Sequence, residues 1–380
     1  MCGGNTGISV ADRHSHATEQ SIQRSASLAK TVGHGNYPTG LGTDGLSVRG
    51  YTIKTEAIVF SAPGKVEIWD VELPDLGPDD VDVELEYSSI SVGTERWCYL
   101  GKLQGFTNPF PHAAGYQGAG HVCAVGRNVK NLKPGDRVFS PCCRQARNFE
   151  GAWWGGHVHH HITHCGNVIK LPDKVSLLDA SGLVLAQVGY NGAMRPRVNK
   201  GDAVLVIGDG CVGQYAGQAF RALGAYVILA GHHSFRLEIA LKTGGADEVF
   251  NSRENDLEKY VRSKYPTGVP LTVETAGKAE LIKLAVELSV YNGQFVLLGY
   301  YPSGECIIDT HWIRAKETTV YCPNGWEAGR LQGTLGLVSE GKMTVEKLVT
   351  HEFSYKDAAK AYELTMSTGT EYLGIGLRWR

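Results

Sequence analysis

AVLVIGDGCVGQYAGQAFRALGAYVILAG, residues 203–231, is the stretch on which the fold turns. The apolar run from Val204 to Ile207 ends in Gly208-x-Gly210-x-x-Gly213. A helix-like stretch follows through Leu223, and a second apolar run from Tyr226 to Ala230 completes a β-α-β unit. The three glycines differ in what they allow. Gly208 permits the tight turn, Gly210 lets a pyrophosphate approach the backbone, and Gly213 lets helix and strand pack closely. Cys211 and Val212 open the helix, whose N-terminus faces the phosphate charge. The motif alone is weak, but between a strand and a helix it implies a dinucleotide site.

The residue closing the second strand reads the cofactor's ribose. An Asp or Glu there would bind the 2′-hydroxyl of NAD, yet the chain has Gly231 followed by His232, His233, Ser234 and Arg236. With no carboxylate expected at this strand end, these side chains suit a 2′-phosphate, Arg236 by a charge-assisted pair. NADP is therefore the expected cofactor. NAD is the alternative if the loop is only a solvated turn. Gly299, in GQFVLLGYYP, joins the cofactor-binding set.

Outward from this unit the pattern changes. Residues from about 54 to 172 alternate apolar and polar positions between Pro and Gly breaks, as antiparallel strands do. LPDKVSLLDASGLVLA then starts a helical stretch. The first fifty residues, rich in Gly, Ser, Thr and His, lack periodicity and an apolar h-region, which suggests a mobile extension, with an organelle transit peptide as the alternative.

The 380 residues carry a formal charge of -2, which gives no reason to expect nucleic acid or an anionic membrane as partner. No run of roughly 18 apolar residues offers a membrane span. The nine cysteines form no C-x-x-C pair, so neither a zinc ribbon nor a thioredoxin-like motif is supported, and free thiols in a reducing, cytoplasmic setting are expected.

Several motifs in order carry a family resemblance: GYQGAGHV, KPGDRV, VIKLPDKVSLLDAS, GDGCVGQYAGQAFRALGA, GGADEVFN, VETAG, GQFVLLGYYP and LVTHEFSYKDAAKAYEL. Residues 54–380 resemble the medium-chain dehydrogenase/reductase superfamily of zinc alcohol dehydrogenases, polyol dehydrogenases and quinone reductases. SVGTER and NGWEAGRLQGTLGLVSEGKMTVEKLVTH are closer to its bacteriochlorophyllide hydroxyethyl dehydrogenase branch. The resemblance implies an α/β chain with a GroES-like β-rich substrate domain and a Rossmann domain with a doubly wound parallel sheet. The expected division is an extension at 1–53, the GroES-like part at 54–189, the Rossmann domain at 190–325 and a return at 326–380. Dimers or tetramers are common in the superfamily, so a homo-oligomer acting on a small molecule is expected.

Against that family the zinc site is depleted. The Cys-x-Thr/Ser-Asp of zinc members corresponds here to Val92-Gly93-Thr94-Glu95, and Gly-His-Glu to Gly115-Tyr116-Gln117. SGLVLAQ, where a third ligand belongs, has no Cys, His, Asp or Glu. Catalytic zinc needs about three protein ligands, so no catalytic metal is expected. The histidines of HVHHHITH, His157 to His164, leave one metal candidate: two strand-mates can chelate an ion if a third ligand comes from elsewhere. A strand lining the cleft, or a solvated patch, is the simpler account.

Without zinc, hydrogen-bond donors must steady the alcohol oxygen. Thr94 matches the hydroxyl that relays the proton in zinc members, and Tyr116, in place of a zinc-binding His, could serve as general acid. Glu95 completes the catalytic candidates, either orienting the loop or pairing with neighbours. His112 is a further acid/base candidate, though a histidine beside Pro111 is more often structural. Trp97, His157, His159 and Tyr300 are substrate-pocket candidates, within a wider aromatic set of Tyr99, Trp153, Trp154, Tyr301 and Trp326. The implied reaction interconverts a secondary alcohol and its ketone. A zinc-free enoyl or quinone reductase, or a non-catalytic dinucleotide binder, are the alternatives.

Overall fold

The computed structural model describes residues 53–103, 109–301, 306–368 and 371–380. The expectations placed on the N-terminal extension lie outside them, apart from Ile53. The first half is strand-rich, as its alternation predicts: β1 (Lys54–Ala62), β2 (Lys65–Glu72), β3 (Asp80–Ile90), β4 (His112–Ala113), β5 (Gly118–Val125), β6 (Arg137–Phe139), β7 (Ala152–Trp153), β8 (His160–His164) and β9 (Ile169–Lys170). The parallel strands follow: β10 (Ala203–Ile207), β11 (Tyr226–Gly231), β12 (Glu248–Asn251), β13 (Val269–Glu274), β14 (Ser289–Leu297) and β15 (Thr319–Tyr321). Then β16 (Val349–Ser354) and β17 (Gly374–Arg378) return to the first half, where β17 pairs with β3.

The parallel sheet runs β12-β11-β10-β13-β14-β15. Numbered from its own first strand this is 3-2-1-4-5-6, so the strand order reverses between β10 and β13, and a crevice opens at their carboxyl ends. β10 is buried along its whole length, as a continuous apolar run covered by helices on both faces must be. In the antiparallel sheet, β3 puts Val81, Val83 and Leu85 fully into the core. The intervening Asp82, Glu84 and Glu86 take the other face, because successive side chains alternate.

One expectation changes in kind. VGTERWCY, aligned by resemblance with a loop, is the helix Val92–Tyr99. Glu95 explains why: its Oε1 accepts the N–H of the N-cap residue Ser91 at 2.9 Å, a variant of the reach-back that a capping box uses to close a helix start.

Candidate active site

At the carboxyl end of β10 the glycines behave as their spacing predicts. Gly208 has φ +122°, and a Cβ there would collide with Thr275 Oγ1 at the end of β13. Any side chain at Gly213 would overlap the carbonyl of Gly208, so helix and strand touch only because this residue has none. Gly210 faces open space. It is the N-cap of the helix Cys211–Ala222 and has no side-chain cap, which leaves first-turn N–H groups for phosphate oxygens. Gly299 lies against Gly277 and the Glu274 carboxylate, too close for a Cβ, and its N–H bonds the Glu274 carbonyl at 3.1 Å. A nicotinamide dinucleotide fits this cradle.

The ribose end holds a correction. A carboxylate is present after all, supplied by Asp209 from inside the glycine motif rather than by the strand end. A Cβ on Gly231 would overlap the Asp209 side chain, so the acid fills the space that the glycine leaves. Its Oδ2 accepts the N–H groups of His232 and His233, both at 2.8 Å. His233 Nδ1 lies 3.1 Å away, and Arg236 Nη1 3.6 Å. Burial pushes the Asp209 carboxyl up, but the N–H groups of His233 and His232 and the His233 ring outweigh it and hold it below its ordinary value. Arg236 also donates from Nε to the carbonyl of Tyr372 at 2.8 Å and covers that ring. The His233 ring and Arg236, both expected on a 2′-phosphate, are thus partnered within the chain. Sequence spacing missed Asp209 because only the fold brings position 209 beside 231.

Under the Val92–Tyr99 helix lies a second buried acid. Glu95 is fully buried, and its Oε2 lies 3.0 Å from His157 Nε2 while accepting the hydroxyl of Tyr362. Glu95, expected among the catalytic groups, has both carboxylate oxygens committed to partners within the chain. The His157 ring packs beneath Gly115, whose φ of +80° and lack of room for a Cβ make glycine obligatory before Tyr116. Hence the segment carrying Tyr116 rests on a polar stack anchored by Glu95.

The hydroxyls of Ser91 and Thr94 lie close enough to the Tyr116 phenol to favour its ionised form, which brings the two expected proton-handling residues together. Its ring meets Trp154 edge-on, with centroids 5.3 Å apart. Burial, and then the charge of Glu95, push the phenol well above its ordinary value, partly opposed by those hydroxyls. Such a phenol stays protonated. A protonated phenol can donate a hydrogen bond, as the general-acid expectation for Tyr116 requires.

Two positions that correspond to the zinc members' ligand segments offer no free metal donor. Val92 packs against an apolar cluster, and Gln117, where zinc members have Glu, spends its amide on the carbonyl of Ser89 and the N–H of Leu185, both at 3.0 Å.

Of the pocket candidates, Trp97 and Tyr300 meet with ring centroids 6.0 Å apart, bringing the helix after β3 against the segment after β14. His157 and His159 do not join them: His157 is buried under Gly115, and His159 stacks on Trp379. Tyr99 packs into the core beside Phe60 and Tyr362, and Trp153 against Phe149. A residue that the sequence pattern did not flag is Gln187, fully buried with neither amide atom hydrogen-bonded. An unmet buried amide costs about 1–3 kcal/mol. Its signal was a polar residue ending SGLVLAQ.

Two buried histidines forecast acid sensitivity. Burial lowers His112 to about 4 and, aided by neighbouring histidines, His161 to about 3. Both are neutral when folded and charge on unfolding below their ordinary value near 6.5. Stability from them is full above that pH and falls as pH drops toward 4, by about 1.4 kcal/mol per pH unit for each. Urea midpoints measured between pH 7 and 4.5 should track this decline; a flat profile would contradict it.

The fold and this cradle define an oxidoreductase that takes a nicotinamide dinucleotide. Models of the alcohol dehydrogenase GroES-like domain and of zinc-binding dehydrogenase match residues 77–173 and 211–339. The chain belongs to the medium-chain dehydrogenase/reductase superfamily. It is 26% identical over 338 residues to a D-xylulose reductase of Saccharomyces cerevisiae, covering 82% of this chain and 94% of that one. An L-idonate 5-dehydrogenase of Vitis vinifera is 29% identical over 327 residues, covering 78% and 87%. Among solved structures, an Escherichia coli oxidoreductase/dehydrogenase of unknown specificity superposes with a TM-score of 0.77 at 25% identity, covering 86% of this chain and 99% of that one. No helix of the described residues is long and apolar enough to cross a membrane.

Proposed function

We propose that this protein interconverts a secondary alcohol, of the polyol or sugar class or attached to a ring, and its ketone without a catalytic metal. The observation that carries the reading is the hydroxyl cluster of Tyr116, Ser91 and Thr94 in place of a zinc ligand set. A nicotinamide bound in the cradle would supply or accept the hydride. The neutral Tyr116 phenol donates to the substrate oxygen and steadies negative charge as it develops, a role worth most where water is excluded. Thr94 and Ser91 can each give one proton and take another, so the cluster can carry the hydroxyl proton away or return it. Named relatives acting on xylulose and idonate support the polyol class. The test is turnover of protein freed of metal with EDTA, given NADPH or NADH and a panel of ketones, ketoses and enones. Undiminished ketone reduction is expected; loss of activity restored by zinc would overturn the metal-free reading, and turnover of enones alone would make it a double-bond reductase.

For the cofactor, His232, His233 and Arg236 are the groups able to take a 2′-phosphate, and Asp209 opposes it by its charge and by occupying His233 and Arg236. Our reading is that NADP is accepted, with NAD retained as an alternative because Asp209 places a carboxylate beside Gly231, at the end of the strand that would meet the ribose. Asp209→Asn removes the opposing charge. The ratio of NADPH to NADH affinity should rise by about 10- to 100-fold, corresponding to the ~1.5–3 kcal/mol of a charged hydrogen bond. Fluorescence titration of both cofactors measures it, and an unchanged ratio would remove Asp209 from discrimination.

A further inference from the structure

The histidine run 157–164 divides its members. His157 and His161 are buried, the latter with its Nδ1 2.8 Å from Ser140 Oγ, whereas His160 turns to β3, where its Nδ1 lies 2.9 Å from Asp82 Oδ1. From the other side of β3 comes Cys123. The pairing of β3 with β5 matches Asp82 with Ala124 and Val83 with Val122, so Cys123 is the extra residue of a β-bulge. Bulges re-aim a side chain, and this one sets an exposed thiol beside a carboxylate that is itself fully buried. One donor atom each from Asp82, Cys123 and His160 lies within 4.8 Å of the other two. Glu84 adds a carboxylate 4.0 Å from the thiol.

We propose that Asp82, Cys123 and His160 form a binding site for a divalent transition metal of the zinc class, separate from the active site. Thiolate, imidazole and carboxylate on three adjacent strands are the donor types that zinc takes. The donors must draw in to surround an ion at ~2.0–2.3 Å, which the exposed Cys123 can do by side-chain rotation. Burial raises the Cys123 thiol, and the charges of Asp82 and Glu84 raise it further, so the unliganded thiol stays protonated and gives its proton to solvent as the ion binds. Asp82 and Ser91 are nine residues apart along β3 and its end, roughly 30 Å of strand. The ion would therefore tie β8 and β5 to β3 and take no part in hydride transfer.

The probe is Co²⁺, titrated into the full chain after chelation and reduction of its thiols. One ion per chain, with a thiolate-to-cobalt charge-transfer band and displacement by Zn²⁺, is expected. Cys123→Ser should abolish the band, and His160→Gln should weaken binding by more than the ~10- to 100-fold carried by groups outside the ligand shell. Both variants should keep ketone turnover, and Zn²⁺ should raise the melting temperature of the wild type but not of Cys123→Ser. No band at excess Co²⁺, or an undiminished band in a folded Cys123→Ser protein, would overturn the assignment. Because the readout is spectroscopic, its failure is distinct from failure of the metal-free reading of catalysis, which is judged by turnover.

Discussion

Tyr116→Phe should lower ketone turnover by about 10²- to 10³-fold, the range seen when one donor to a developing oxyanion is removed. Tyr116 corresponds in sequence to a metal ligand of the zinc members, has the Ser91 and Thr94 hydroxyls beside its phenol, and stays protonated because burial and the charge of Glu95 disfavour the phenolate. Removing one hydroxyl preserves the ring and its edge-on contact with Trp154, so cofactor affinity and unfolding midpoint should stay near wild type. Thr94→Val should act on the same step, and the double variant should lose less than the product of the two, since groups acting as a unit are not additive. Steady-state kinetics of the three variants decide it. A Tyr116→Phe enzyme with wild-type turnover would take the phenol out of the mechanism.

The second large effect is on stability. Glu95→Ala should cost about 3–5 kcal/mol, the upper range for a single substitution, because it strips a buried hydrogen-bond network of its common acceptor, out of a total near 5–15 kcal/mol for a native protein. Three donors lose their acceptor together: the N–H of Ser91, the ring of His157 and the hydroxyl of Tyr362. Glu95→Gln keeps shape and one acceptor oxygen and should recover part of the loss. Urea unfolding gives both values. A loss under about 1 kcal/mol for the alanine variant would mean that the stack beneath Gly115 holds without its acid.

The crevice was legible in the chain itself because it is built from local rules. Gly208, Gly210 and Gly213 declare a strand, a turn and a helix start within six residues, and the reasons read for Gly208 and Gly213 have a physical counterpart in the collisions a side chain there would cause. The absence of zinc donors at Val92 and Tyr116 was equally local. Less legible was the helix Val92–Tyr99, since its start depends on Glu95 bending back to the Ser91 N–H. The histidine run gave no sign of which members face inward, because that depends on pairing with β3.

What the sequence by itself determined is the order of elements, the dinucleotide cradle and the residues at the metal-ligand positions, all set within short windows by backbone freedom and side-chain type. Tertiary structure decided which distant groups meet: Asp209 in the space beside Gly231, Glu95 with His157 and Tyr362, and Cys123 with Asp82 and His160. The physical reason is that a buried carboxylate takes whatever donors the packing brings within about 3 Å, and sequence separations such as the 62 residues between Glu95 and His157 carry no trace of that proximity.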